Sequence, residues 1–249
     1  MRTIEIVGLP GSGKSYAKDF LMKSLRLKNI SYSQLSFRMK RPQEKEKSGL
    51  IAKKINYLKY KLFRGQYMDL VAFLSDESSF SSQMIEAINQ IGDIQLRKKQ
   101  TRWLCELMCQ NKILQRNQCQ RGFFLIDEGF SHRALGLFSN VTSEVNVELL
   151  KRYLESLPKA DVVLFTHVNS EVALEKLKER GLTQRLRGKD SSFIKKFYEQ
   201  NIEVLNLVVD YYKENRPETI IEIQNQFVVK EFEDSLDFAI EKLTELPES

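Results

Sequence analysis

Short apolar runs that alternate with helical patterns determine the architecture expected for this chain. Each run is short enough for a strand buried on both faces, and the segments between the runs repeat apolar residues at helical spacing. This order of strand and helix is typical of a mostly parallel sheet with helices on both faces, so the predicted fold class is α/β. The predicted strands are Ile4–Val7, Ser31–Phe37, Phe123–Ile126, Val162–Thr166 and Thr219–Ile223.

Capping residues and a proline mark the ends of the later helices. A helix that begins near Glu144 is expected to end before Pro158. Ser170 is the predicted N-cap of the next helix, Gly181 is its predicted end, and Asp190 is expected to open a longer one. These boundaries leave a connection of about ten residues between the helix that ends at Gly181 and the helix that Asp190 opens.

The longest departure from the alternation lies between the second and third predicted strands. Residues 38–121 have helical patterns and are expected to form a basic, helical insertion within a single domain that covers residues 1–249. We expect this insertion to pack over the carboxyl edge of the sheet as a substrate-binding cap, because open α/β folds bind ligands there. The alternatives are additional scaffolding or an interface between two copies of the chain in a homodimer.

The turn after the first predicted strand contains a phosphate-binding motif. The octapeptide GLPGSGKS at positions 8–15 matches the pattern G-x-x-x-x-G-K-[ST] between a strand and a helix. In such a loop the backbone N–H groups and the helix N-terminus face phosphate oxygens, Lys14 reaches the β- and γ-phosphates, and Ser15 can ligate Mg²⁺. The predicted nucleoside triphosphate site consists of Gly8, Pro10, Gly11, Ser12, Gly13, Lys14, Ser15 and Tyr16.

Two carboxylates follow the third predicted strand, where the fold would bring them beside the phosphate-binding loop. Asp127 and Glu128 come directly after the apolar run 123–126. A carboxylate at this position can hold Mg²⁺ through water or accept the proton of an attacking hydroxyl. We expect Asp127 to be catalytic, and Ser15, Asp127 and Glu128 to be the metal-binding residues; a role as a turn or helix-cap acid is the alternative.

A basic segment flanked by glycines connects the last two of the helices described above. Arg180, Arg185 and Arg187 lie in it, and guanidinium groups on a lid can stabilise the charge that spreads over a transferring phosphoryl group. We therefore expect these three arginines to be catalytic. The alternative is that they only complement the dipole at a helix end. Arg133 is a further candidate for a phosphate contact.

The charge distribution adds candidate partners. The net charge is +6, and residues 38–64 alone contain ten Lys or Arg against Glu44 and Glu46, a balance of +8. Such a cluster favours a phosphorylated substrate, a nucleic acid or an anionic membrane surface, and a solvated helix face is the alternative. No apolar run is long enough to span a membrane and no cleavable signal pattern precedes the first strand, so a cytoplasmic location is expected.

These motifs together resemble the P-loop nucleoside and nucleotide kinase superfamily, with a plan similar to that of the thymidylate kinases. The resemblance implies a P-loop NTPase three-layer sandwich with a five-stranded parallel sheet in the order 2-3-1-4-5, and ATP and Mg²⁺ as cofactors. Thymidylate kinases usually carry an Asp-Arg pair where this chain has Asp127-Glu128, which indicates a different acceptor. The residues that carry the resemblance are Gly8, Gly11, Gly13, Lys14, Ser15, Phe123–Asp127, Ala160–Phe165 and Ser170–Arg180.

Three functional hypotheses follow from these observations. The first is a kinase that transfers phosphate from ATP, with Mg²⁺, to a hydroxyl or phosphate of a small molecule or glycan. The second is an ATPase or polynucleotide-directed enzyme, suggested by the paired carboxylates and the basic segment. The third is a non-catalytic nucleotide-binding protein whose basic amphipathic helix near Ile51–Phe63 contacts an anionic membrane surface or a partner.

Overall fold

The computed structural model describes residues 2–28, 30, 32–33, 65–116, 122–141, 143–183, 185–226 and 228–245. Several predictions therefore lie outside the described residues. They are the end of the second strand, the basic segment 38–64 and the amphipathic helix within it. Of the predicted insertion, the structure describes residues 65–116.

A parallel sheet in the order β2-β3-β1-β4-β5 forms the centre of the fold. Four of its strands have five to seven residues, and the second contributes two described residues. The predicted α/β class with a parallel sheet is thus confirmed. The strands are β1 (Arg2–Gly8), β2 (Tyr32–Ser33), β3 (Phe123–Asp127), β4 (Val162–His167) and β5 (Ile220–Gln224).

Helices cover both faces of this sheet. Ile4 and Ile6 of β1 pack against the first and last helices, whereas Val7 points to the opposite face and a larger group of helices. All three side chains are fully buried, as expected for the central strand of a doubly covered sheet. The helices are α1 (Lys14–Leu27), α2 (65–76), α3 (Ser78–Gln90), α4 (Ile94–Arg116), α5 (Phe130–Phe138), α6 (Val147–Glu155), α7 (Ser170–Arg180), α8 (Ser191–Asn215) and α9 (Val229–Glu245).

Two helix starts differ from the sequence-based prediction. The N-cap of α7 is Asn169 rather than Ser170, because the Asn169 side chain accepts hydrogen bonds from the backbone N–H groups of Glu171 and Val172. Asn and Ser are comparable N-caps, so their neighbouring positions left the start ambiguous by one residue. The helix predicted from near Glu144 begins later, at Val147. Asp190 caps α8 as predicted, accepting a hydrogen bond from the Phe193 N–H.

The described part of the predicted insertion is helical, and ion pairs join its first and last helices. Lys112 of α4 pairs with Asp76 of α2 at 2.5 Å, and Arg116 pairs with Asp69. These contacts fix α2 along α4, on the sheet face that Val7 also contacts. None of the helices in the described part of the chain combines the length and apolar character that a bilayer crossing requires.

Candidate functional site

The connection from β1 to α1 has a backbone that requires glycine at two positions. Gly11 has a φ of 89° and Gly13 a φ of 90°, in the left-handed region that L residues rarely adopt. A Cβ atom at Gly11 would also overlap the carbonyl oxygen of Ala173 in α7. Gly13 precedes α1 as its N-cap and contributes no side-chain cap, so the positive end of the helix faces the loop. The backbone therefore has the form needed to bind an anion.

Side chains from β4, from α8 and from the residue after β5 hold this loop in place. Ser12 Oγ and Thr166 Oγ1 share a buried hydrogen bond of 2.7 Å, and Asn225 Nδ2 donates to the Ser12 carbonyl at 2.8 Å. The Tyr198 hydroxyl donates to the Pro10 carbonyl at 2.7 Å. Sequence reasoning missed these three supporting residues. Thr166 ends one predicted strand and Asn225 follows another by two residues, which was the available signal.

Lys14 places its ammonium inside the loop. Its Nζ donates to the carbonyl oxygens of Gly8 at 3.0 Å and Leu9 at 2.9 Å. Burial lowers the pKa of Lys14 to about 8, although the nearby charges of Glu128 and Asp127 oppose this shift. The ammonium is thus poorly hydrated and would be stabilised by an added anion.

The two residues after Lys14 differ in orientation. Ser15 is exposed in the first turn of α1. Tyr16 is turned towards α9, where its hydroxyl donates to Glu233 at 2.5 Å and its ring lies 5.6 Å from the ring of Phe232. The Tyr16 side chain is therefore engaged with α9 rather than with the loop.

The carboxylates at the end of β3 have separate partners. Asp127 pairs with Lys18 of α1 at 2.9 Å, whereas Glu128 pairs with Arg133 of α5 at 2.9 Å. Burial opposes ionisation of Glu128, but the neighbouring His132, Arg133 and Lys14 outweigh it and hold the pKa of Glu128 well below its usual range. Both carboxylates act electrostatically on Lys14, Glu128 more strongly. The structure thus brings both predicted acids to the loop at positions 8–15.

Glu128 also has an unusual backbone conformation. Its φ is 60°, and among the described residues it is the non-glycine residue with a positive φ. Such a conformation costs energy in an L residue and is often found at functional sites. It directs the chain from β3 into α5, where His132 is buried and has a pKa lowered to about 4, chiefly by burial and by Lys14. His132 is therefore neutral near pH 7.

The three predicted lid arginines lie in different surroundings. Arg180 is one of the charges that most affect the pKa of Lys14, so it lies near the loop. Arg185 donates to the Ser139 carbonyl at 2.6 Å and lies 4.7 Å from the ring of Phe197. Burial lowers the pKa of Arg185 to about 10. Arg187 is exposed. Arg180 is therefore the lid arginine that this conformation places near Lys14.

A cluster of basic residues around Trp103 was not predicted from the sequence. Lys99 Nζ lies 4.5 Å and Arg133 Cζ 4.3 Å from the centre of the Trp103 ring. Burial, then the charges of Arg133 and Arg185, lower the pKa of Lys99. Lys99 and Trp103 are four residues apart on α4, which puts them on one helix face, but the sequence does not reveal that Arg133 lies opposite.

A cavity of about 390 Å³ lies at the carboxyl ends of β4 and β5, on the side of the loop away from β3. Its walls include Asn169, Val172, Gln224 and Asn225. Amide groups above an apolar wall are suited to bind a flat heterocycle with hydrogen-bonding edges. Asn225 connects this cavity to the loop, because its side chain also donates to the Ser12 carbonyl.

The similarities found in comparisons with known proteins are to solved structures. No protein-family model and no curated protein sequence matches the chain. Among solved structures, one that is similar is deoxyadenosine kinase from M. mycoides with bound dATP, with a TM-score of 0.48 and 14% sequence identity. The alignment covers 98% of this chain and 100% of that chain.

Proposed function

We propose that this chain transfers the terminal phosphate of ATP, with the help of Mg²⁺, to a hydroxyl or phosphate of a small molecule or glycan. The observation that carries the proposal is the loop at positions 8–15. Gly11 and Gly13 adopt left-handed conformations there, and the Lys14 ammonium lies within the loop at the N-terminus of α1. These are the features by which a protein binds a polyphosphate.

The donor would bind along the loop. Backbone N–H groups of the loop and of the first turn of α1 would donate to its phosphates, and the Lys14 ammonium would leave the carbonyls of Gly8 and Leu9 to pair with them. The cavity beside Asn225 would receive the nucleoside. The proposed donor-binding residues are Gly8, Pro10, Gly11, Ser12, Gly13, Lys14, Ser15 and, through its backbone, Tyr16.

The residues at this edge of the sheet also fit a magnesium ion. Ser15 is exposed in the first turn of α1, and Asp127 and Glu128 end the neighbouring strand, so hydroxyl and carboxylate oxygens are available together with donor phosphates. Mg²⁺ prefers such oxygen ligands and keeps several waters. When bound, the ion would neutralise charge on the β- and γ-phosphates.

The two carboxylates would have different roles. A general base works best when its pKa is close to the working pH, and the pKa of Glu128 is held far below that. We therefore assign proton acceptance from the acceptor group to Asp127, and to Glu128 the tasks of orienting Arg133 and helping to hold Mg²⁺. The ion pair between Lys18 and Asp127 keeps that carboxylate directed towards α1.

Arginine side chains would stabilise the charge of the transferring group. Arg180 and Arg133 both act electrostatically on Lys14, and they come from different elements, α7 and α5. Guanidinium groups from both elements would balance the equatorial oxygens in the transition state. Arg187 is exposed and would approach when the connection between α7 and α8 closes over the donor.

Calorimetry and a transfer assay would test this function. The purified chain should bind ATP with Mg²⁺, and Lys14→Ala should reduce the affinity at least tenfold, because one charge-assisted contact contributes about 1.5–3 kcal/mol. Lys23→Ala, on an exposed position of the same helix, is the matched control and should leave the affinity unchanged. Folded protein that binds neither ATP nor GTP would refute the proposal.

A further inference from the structure

We propose that the acceptor carries a phosphate group, which binds in a second anion site formed by Lys99, Arg133 and Arg185 beside Trp103. This inference rests on the proposed kinase function, because it concerns the second substrate of that reaction. The site joins side chains from α4, α5 and the connection between α7 and α8. We call it the Trp103 site.

Two cations of this site share one aromatic ring. Lys99 Nζ and Arg133 Cζ both lie within 4.5 Å of the centre of the Trp103 ring. An indole ring attracts cations through its electron-rich faces and holds them without neutralising their charge. The two side chains are thus both held against Trp103, and the ring does not cancel their charges.

The charges of the Trp103 site repel one another. After burial, the largest influences that lower the pKa of Lys99 are the charges of Arg133 and Arg185. Like charges that are held together raise the free energy of the ligand-free protein, and a bound anion would relieve that cost. The arrangement is therefore better suited to the complex with an anion than to the free protein.

The carboxylates nearby do not balance these cations. Glu128 pairs with Arg133, Glu106 pairs with Arg102, and Asp93 accepts hydrogen bonds from two backbone N–H groups at the start of α4. Five basic residues face three acidic ones, which leaves an excess of two positive charges. A phosphate monoester carries a charge of about −1.5 to −2 at neutral pH and would balance this excess. The basic residues are Lys99, Arg102, Arg133, Arg185 and Lys189.

Two donors of the site are held ready for a ligand. The Arg133 side chain is 11% exposed, and its Nε is buried with no hydrogen-bond partner among the described residues. Arg185 is fixed by a hydrogen bond to the Ser139 carbonyl and by the Phe197 ring, so its guanidinium group is held in place before a ligand binds. Buried donors without partners are rare in folded proteins and often indicate a missing ligand.

The position of the Trp103 site fits an acceptor rather than the donor. Arg133 acts electrostatically on both Lys14 and Lys99, so the site adjoins the phosphate-binding loop. Lys99 lies on α4, and Arg185 donates to the carbonyl of Ser139 at the end of α5, so the rest of the site is built from elements outside the loop. A phosphate bound there would hold the acceptor beside the γ-phosphate without competing for the loop.

Fluorescence of Trp103 offers a direct test, because the chain contains a single tryptophan. The full chain is titrated with inorganic phosphate, in the absence and presence of a saturating, non-hydrolysable ATP analogue with Mg²⁺. We expect a saturable change in emission under both conditions. Lys99→Gln should weaken phosphate binding about tenfold, as the loss of one charge-assisted contact predicts. Lys98→Gln, on the adjacent exposed position, should not weaken it.

Lys14→Ala separates the Trp103 site from the loop. Phosphate should still change the emission of this variant, whereas its affinity for ATP should fall at least tenfold. The inference is overturned if phosphate has no saturable effect, if Lys14→Ala abolishes the effect, or if the two lysine variants on α4 behave alike. A chain that binds phosphate at Trp103 but not ATP would refute the kinase function and leave the anion site in place.

Turnover gives an independent test of the acceptor class. Sugars and nucleosides are assayed in pairs, each with and without a phosphate monoester, using Mg²⁺ and ATP. We expect transfer to phosphorylated members only, and Lys99→Gln should raise KM for that acceptor about tenfold with a smaller effect on kcat. Transfer to an unphosphorylated member with equal kcat/KM would overturn the inference.

Discussion

The carboxylate of Glu5, in the middle of β1, caps the helix that begins at Phe130. It accepts hydrogen bonds of 3.1 Å from the backbone N–H groups of Phe130 and Ser131. A Cβ atom at Gly129 would overlap the same carboxylate, so the turn before α5 packs directly on Glu5. The unusual conformation of Glu128 is therefore fixed by a residue from the centre of the sheet.

Replacing Glu5 by Ala should destabilise the fold and disturb the site. Two buried N–H groups would lose their acceptor, which costs about 1–3 kcal/mol in the free energy of unfolding. Urea denaturation measures this change, and Glu231→Ala on an exposed position of α9 is the control. Equal stability of the two variants would show that Glu5 does not support the start of α5.

Nucleotide affinity should fall as the pH rises through about 8. The pKa of Lys14 is lowered to about 8 by burial, and the protonated ammonium is the form that pairs with phosphate. Above this pH the free protein loses the proton, so binding must first restore it, and affinity declines up to tenfold per pH unit. Calorimetry between about pH 6 and pH 10 measures the effect. Lys14→Arg, which stays charged, should have a flatter profile; an identical profile would contradict the assignment.

Gly13→Ala should abolish nucleotide binding. The residue has a φ of 90°, and a Cβ atom there would lie 2.5 Å from Asn225 Nδ2, which supports the loop. Gly188→Ala is a matched control, since that glycine has a φ of 74° but no atom near its virtual Cβ. Both variants should lose about 1–2 kcal/mol of stability from backbone strain. Only Gly13→Ala should lose ATP affinity, and comparable affinities would exclude a role for loop geometry.

Asp127→Asn should lower kcat by roughly a hundredfold or more while ATP still binds, as the removal of a general base predicts. Glu128→Gln should instead raise the Mg²⁺ concentration needed for half-maximal turnover and free Arg133 from its ion pair. Steady-state kinetics at several Mg²⁺ concentrations separates the two effects. A normal kcat for Asp127→Asn would show that Asp127 is not the general base and that another group accepts the proton.

The sequence was most informative where structure depends on neighbouring residues. The apolar runs located β1, β3, β4 and β5 to within two residues at each end. The loop between β1 and α1 was recognised from eight consecutive residues. Strand burial and the need for glycine at left-handed positions are local properties, which explains this success.

Residues that depend on distant partners were missed. Thr166 and Ser12 are separated by 154 positions, and Glu5 and Phe130 by 125. Glu5 interrupts an apolar strand, and its purpose becomes clear only when α5 is placed above it. Arg180 and Arg185 occur in one basic segment of the sequence. Tertiary packing nevertheless places Arg180 near Lys14 and Arg185 against the Ser139 carbonyl. A single sequence does not specify which neighbouring residues each arginine contacts.

The hydrogen bonds from Lys14 to the carbonyls of Gly8 and Leu9 have a kinetic and energetic consequence for ligand capture. A flexible four-carbon side chain is immobilised when the chain folds, so an arriving nucleotide does not bear the entropic cost of ordering it. In the proposed function, Lys14 would exchange these two hydrogen bonds for contacts with phosphate. The loop would thus be preorganised for its ligand, and part of the affinity would be determined by folding.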